Sequence, residues 1–94
     1  MIIMNIVYEK QFRRSFGQIV DYIAADKPTA ARNFKKEMKN RFERIMDNPR
    51  MYRASVYFED VNYRDMVYQG YTTIYKIDKN TIRVLDIFKW MDKY

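Results

Sequence analysis

A chain of 94 residues that contains neither Cys nor His excludes disulfides, zinc fingers, thiol nucleophiles and histidine acid–base catalysis together. Lys and Arg outnumber Asp and Glu by 18 to 12, giving a net charge of +6 and a pI near 9.6, a balance that attracts polyanions or acidic protein segments. The length holds one domain, 1–94, with a modest core. The opening MIIMNIVYEK is interrupted by Glu9 and Lys10 too early for a signal peptide, and no apolar run approaches the ~20 residues of a membrane span. Cysteine-free composition and the lack of a leader place the expectation in the cytoplasm, away from membranes.

Residues 2–7 form a short apolar run that reads as a first strand. Phe12, Phe16, Ile19 and Ile23 then recur at spacings of 4, 3 and 4, one face of an amphipathic helix. Gly17 interrupts it at a cost of ~1 kcal/mol relative to Ala. Asp26-Lys27-Pro28 ends it, because the residue before a proline is pushed out of helical geometry. Pro28 also suits the first turn of a new helix, where its missing N–H costs nothing. That second helix carries Ala31, Phe34, Met38, Phe42 and Ile45 at spacings of 3, 4, 4 and 3, and stops at Asn48-Pro49. Two helices joined by about three residues fold back as an αα-hairpin. The far side of the second helix presents Arg32, Lys35, Lys36, Lys39 and Arg44: either a solvated face or a basic ridge for an acidic partner or a phosphate backbone.

Residues 51–60 are ambiguous, with 55–58 readable as a short strand or as a loop, and Glu59-Asp60 as a turn. From 63 to 89 the reading is firmer: three runs rich in aromatic and β-branched residues are separated only by Gln69-Gly70 and by Asp78-Lys79-Asn80. Connections that short join antiparallel neighbours, so a three-strand meander is expected. The fold class is α+β, with an N-terminal strand and an antiparallel helical hairpin packed on one face of a small, mainly antiparallel sheet, in the order β-α-α-β-β-β. The other sheet face is then left open, or partly covered by the C-terminal tail. The seven methionines follow the apolar stripes as core filler.

Among single residues, Asp86 interrupts an apolar strand and reads as a paired structural carboxylate. Arg64 either pairs with a carboxylate such as Asp86 or Glu59, or touches a target. Lys76 and Arg83 lie on neighbouring strands, and the register decides whether they share a face. Trp90 and Tyr94 read as a hydrophobic latch or as part of a contact surface. The chain has two glycines, Gly17 and Gly70, too far apart for a phosphate-cradling loop, and no carboxylates at metal-ligand spacing. No cofactor or metal is expected.

The order of elements resembles the RelE/ParE superfamily of toxins from bacterial type II toxin–antitoxin systems. The resemblance covers almost the whole chain. It is carried by Tyr22-Ile23-Ala24 at the end of the first helix, Pro28 with Ala30-Ala31, Phe34, Asn48-Pro49, Tyr63-Arg64, Gly70-Tyr71, Ile74-Tyr75 and the closing strand 82–88. RelE-like members are ribosome-dependent messenger-RNA endonucleases that work with Lys and Arg plus a Tyr or His near the C-terminus, since cleavage builds negative charge that fixed cations must meet. Their pattern places lysines ahead of the Gly-Tyr pair and an arginine after it. Here those positions hold Tyr63, Asp65 and Thr72, and a carboxylate repels the phosphate a lysine would hold. Arg83, Lys89 and Tyr94 remain as the residues for a ribonuclease, with Lys93 nearby in the tail.

The resemblance to ParE-like members is greater. Their pattern has an arginine where Arg64 stands, and they lack the ribonuclease set. ParE-like chains often close the last strand with a basic loop, whereas this one reads Asp86-Ile87-Phe88-Lys89-Trp90. The resemblance implies a non-enzymatic plasmid-stabilisation toxin that inhibits DNA gyrase. It also implies a cognate antitoxin whose acidic amphipathic segment neutralises it, as a homodimer or a hetero-oligomer. On this reading Arg64, Lys76, Arg83, Lys89 and Trp90 meet the target, while Arg32, Lys35, Lys36 and Lys39 meet the partner. A ribosome-dependent endoribonuclease and a non-toxic nucleic-acid-binding module are the alternatives.

Overall fold

The computed structural model describes residues 4–89. The elements are β1 (Asn5–Tyr8), α1 (Lys10–Asp26), α2 (Pro28–Asp47), β2 (Tyr63–Tyr68), β3 (Tyr71–Asp78) and β4 (Thr81–Lys89). The sheet order is β1-β4-β3-β2. The meander β2-β3-β4 is antiparallel, and β1 joins its far edge parallel to β4, with Ile6 opposite Ile82 and Tyr8 opposite Val84.

The helical hairpin is tighter than its sequence suggests. One residue, Lys27, separates the helices, ending α1 and preceding Pro28 at the start of α2. Its extended backbone (φ −141°, ψ 101°) is the conformation that a following proline enforces. The helices run antiparallel: Phe12 meets Phe42 at 5.7 Å between ring centres, and Phe16 meets Phe34 at 6.0 Å. All five residues of the second-helix stripe, Ala31, Phe34, Met38, Phe42 and Ile45, are buried. They close on Met66, Tyr75, Ile82, Val84 and Ile87 of the sheet. Aromatic rings bridge the layers, with Phe34 stacked on Tyr68 at 5.9 Å and edge-on to Tyr71 at 5.6 Å. Of the methionines, Met38 and Met66 are core residues, but Met51 lies exposed.

The two short turns form where expected. Gln69 and Gly70 both have positive φ (51° and 81°), the backbone of a two-residue hairpin turn whose twist matches its strands. The turn before β2 falls at Val61-Asn62, just past the expected Glu59-Asp60; Asp60 opens it, accepting the N–H of Asn62 on its carboxylate and that of Tyr63 on its carbonyl.

Residues 48–62 decide one alternative, in favour of the loop, and correct one expectation, that of an open sheet face. There is no strand over 55–58; a single bridge joins Ala54 to Arg64. The backbone N–H of Ser55 donates to Tyr63 and that of Asp65 to Arg53, so this segment clips onto the outer edge of β2. It then crosses the sheet face opposite the helices. Tyr57 packs edge-on to Phe88 at 5.3 Å, and Phe58 stacks on Tyr63 at 4.2 Å. The second sheet face is therefore roofed over one half by this loop, and Ile74 and Phe88 are buried there. Trp90 and Tyr94, the expected latch, lie outside the described residues.

Candidate functional site

The uncovered half of that sheet face carries Lys76 and Arg83, which are direct cross-strand partners and so share it. Two like charges opposite each other repel, and each is met by other groups. Arg83 donates to Glu9 at 3.2 Å and to Asp78 at 3.4 Å, and these bonds raise its already high pKa. The Lys76 ammonium stands 5.4 Å from the centre of the Tyr63 ring, which also stacks on Phe58. The result is a surface of two cations and two stacked aromatic rings, with Phe58 at 42% exposure.

The other expected target contacts are elsewhere. Arg64 is paired with Tyr75 in the register and faces the opposite side of the sheet from Lys76. It meets neither Asp86 nor Glu59. Its guanidinium donates to the carbonyls of Val61 (2.9 Å) and Tyr52 (3.0 Å), fastening both ends of the crossing loop to β2. Lys89 opposes Tyr71, and its ammonium lies 5.8 Å from the ring of Tyr22 on α1, again on the helix side. Trp90 is outside the described residues, as is Tyr94 of the ribonuclease set. Arg83 and Lys89, the other two of that set, thus face opposite ways.

Two further groups bear on catalysis. Asp65 is 1% exposed and accepts the backbone N–H of Val56 at 3.0 Å, with Arg53 at 3.8 Å. It anchors the loop at the place where a lysine would have held a phosphate. Tyr75, at the sheet centre, donates its hydroxyl to the carbonyl of Pro49 at 2.7 Å. Burial pushes its pKa well above the ordinary phenol value, so it holds its proton and offers no base. Asp86 accepts the hydroxyl of Ser15 and the N–H of Ile87, both at 2.8 Å, and acts as a structural tie between β4 and α1.

The basic helix face is present as expected. Arg32, Lys35, Lys36, Lys39 and Arg44 are exposed, with Arg44 bound to Glu37 and Arg32 to the hydroxyl of Thr29. The sequence reading missed that three of these lysines border a groove. Between α1 and α2 runs an open cleft of about 590 Å³, floored by Tyr8, Phe12, Phe16, Met38 and Phe42. Its rim adds Arg13 to Lys35, Lys36 and Lys39, and Gly17 forms part of its wall. The one available signal was Gly17, a residue that weakens a helix and is required by no turn there.

Among the described residues no helix is long and apolar enough to cross a membrane, and no three carboxylates are grouped to hold a metal ion. The family described as "ParE toxin of type II toxin-antitoxin system, parDE" matches residues 6–94. A solved structure titled "Chromosomal ParDE TA system from P. aeruginosa" shares the fold with a TM-score of 0.74 at 15% identity, over 95% of this chain and 98% of that one. A search of curated proteins found no match.

Proposed function

The chain belongs to the ParE toxin family of type II toxin–antitoxin systems, and from that premise we propose that it restrains growth by binding DNA gyrase in the cytoplasm. Its natural partner is a cognate antitoxin, in a hetero-oligomer that silences it. The face bearing Lys76, Arg83, Tyr63 and Phe58 meets the target, with Arg64 holding the adjoining loop in shape. A stacked aromatic pair beside two cations suits a surface that clings to a partner.

The observation that carries this reading is the dispersal of the cations. Phosphodiester cleavage needs several positive groups aimed at one phosphate. Arg83 and Lys89 face opposite sides of the sheet, Asp65 is committed to the loop, and Tyr75 is committed to Pro49. That arrangement favours binding over cutting. Expression in a sensitive host tests it: cells should filament with DNA damage while translation continues. Prompt arrest of protein synthesis with intact chromosomes would instead favour a ribosome-dependent endoribonuclease.

A further inference from the structure

We propose that an apolar notch between the crossing loop and the bulged part of β4 is the anchor point of the target face. It takes one large apolar side chain of gyrase, with a carboxylate two residues away on the same segment. The proposal rests on the gyrase reading above and adds to it the pocket, the residue that shapes it and the chemistry that enters it.

The notch holds about 250 Å³ and is lined by Tyr57 and Phe58 of the loop, Ile74 of β3, and Leu85, Asp86 and Phe88 of β4. Small-molecule pockets run to roughly 300–1,000 Å³, so this one suits a single side chain rather than a cofactor. Its floor, Ile74 and Phe88, is buried, whereas Leu85 is half-buried and Phe58 exposed. Apolar walls that are already shielded from water gain most from an aliphatic or aromatic anchor. Val56 and Val61, also exposed on the loop, extend the apolar surface beyond the notch.

The bulge builds this pocket. Tyr75 pairs with Val84 and Ile74 with Asp86, so Leu85 has no partner on β3. Consecutive residues of a regular strand point to opposite faces, yet Leu85 and Asp86 both line the notch. A bulge re-aims side chains in this way, at the cost of an interrupted ladder. Leu85 takes no part in the buried core. A leucine re-aimed away from the core serves something that enters from outside.

Lys76 sets the charge of that occupant. It follows Ile74 by two residues on the same face of β3, about 7 Å along the strand. Arg83, its cross-strand partner, is engaged by Glu9 and Asp78, but Lys76 has no ion pair among the described residues. Asp86 is engaged too, its Oδ1 accepting from Ser15 and from the N–H of Ile87. The cation left over beside the notch calls for a carboxylate near the entering side chain. An extended segment rises about 3.3 Å per residue, which places that carboxylate two residues from the anchor. A second copy of the chain fits poorly, because a symmetric pair would bring two Lys76 side chains together.

The test measures binding of the full-length chain to purified, immobilised gyrase, alongside inhibition of supercoiling. The unaltered chain should bind. Leu85→Trp, which fills the notch, should weaken binding and inhibition about tenfold or more. Lys76→Glu should weaken binding about threefold or more and reduce its salt dependence. Thermal unfolding of each variant should stay within a few degrees of the parent, which separates a blocked notch from a misfolded chain. Leu85→Arg, whose charged end reaches water from a half-buried position, takes the place of a Leu85→Trp chain that does not fold. Parent-like binding by the folded Leu85 variant would overturn the notch and leave the gyrase reading standing. No binding by the unaltered chain would overturn the gyrase reading and, with it, the occupant proposed here. Self-association of the chain alone, abolished by Leu85→Trp, would give the notch to a second copy and overturn the proposal.

Discussion

Arg83 and Lys89 lie on the same strand but face opposite sides of the sheet, because one residue is inserted between them. Tyr75 pairs with Val84 and Ile74 with Asp86, so Leu85 is the extra residue of a β-bulge. Six residues apart on a regular strand, the two cations would share a face; the bulge reverses the second. Residues that act on one phosphate couple strongly, whereas distant residues add. Alanine at Arg83 and at Lys89 should therefore affect growth inhibition independently. A double-mutant cycle should close to within about 0.5 kcal/mol, and strong coupling would mean the two cations work together.

The crossing loop depends on Asp65. Removing its carboxylate takes the acceptor from the part-buried N–H of Val56 and releases Arg53. Asp65→Ala should cost about 1–3 kcal/mol in denaturant unfolding, the range for losing a hydrogen bond to a charged group. Asp65→Asn, which retains an acceptor, should cost less. Limited proteolysis of Asp65→Ala should cut first within residues 51–62. Unchanged stability in both variants would show that the loop is held by other contacts.

Tyr75 sets the response to alkali. Its pKa is raised in the folded state by burial, and that of Tyr8 is raised too, by burial and then by Glu43. A raised folded pKa means the folded chain keeps its proton where the unfolded chain loses it. Stability from this source is complete below pH 10.0, the ordinary phenol value, and falls as pH rises above it. Tyr75→Phe should flatten that fall without abolishing it. At neutral pH it should cost about 1 kcal/mol for the lost bond to Pro49 and leave growth inhibition intact. Loss of toxicity in a folded Tyr75→Phe variant would point to a chemical role for the hydroxyl.

The hairpin turn between β2 and β3 leaves room for improvement. Gln69 has a φ of 51°, a left-handed conformation that Asn adopts more readily. Gln69→Asn should raise stability by about 0.5 kcal/mol, seen as an upward shift in the thermal midpoint. A downward shift would mean that the Gln69 side chain makes a contact worth more than the relief of backbone strain.

Much of this architecture was legible from spacing alone. The stripe from Ala31 to Ile45 gave the buried face of α2 correctly, because a long helix repeats its period often enough to be unambiguous. Pro28 and the Gln69-Gly70 pair gave boundaries, because their backbone demands are local. What was not legible was non-local. Nothing in residues 5–8 says that they pair parallel to β4. The roof of residues 51–62 is irregular and follows no period; its anchors, Asp65 and Arg64, look like ordinary strand residues. The bulge at Leu85 is one residue long and leaves no mark in the hydrophobic pattern. Yet it turns Lys89 away from Arg83, while the β2–β3 register turns Arg64 away from Lys76, so the expected target set of Arg64, Lys76, Arg83 and Lys89 is divided between two faces. The groove was missed for a related reason: its floor and rim come from two helices read separately.

Binding without cutting is tested most directly by adding the purified chain to gyrase, ATP and relaxed plasmid, and following supercoiling. Inhibition should rise with the amount of chain and be lost in a folded Lys76→Glu, Arg83→Glu variant. Full supercoiling in the presence of a large molar excess of the chain would contradict gyrase as its target.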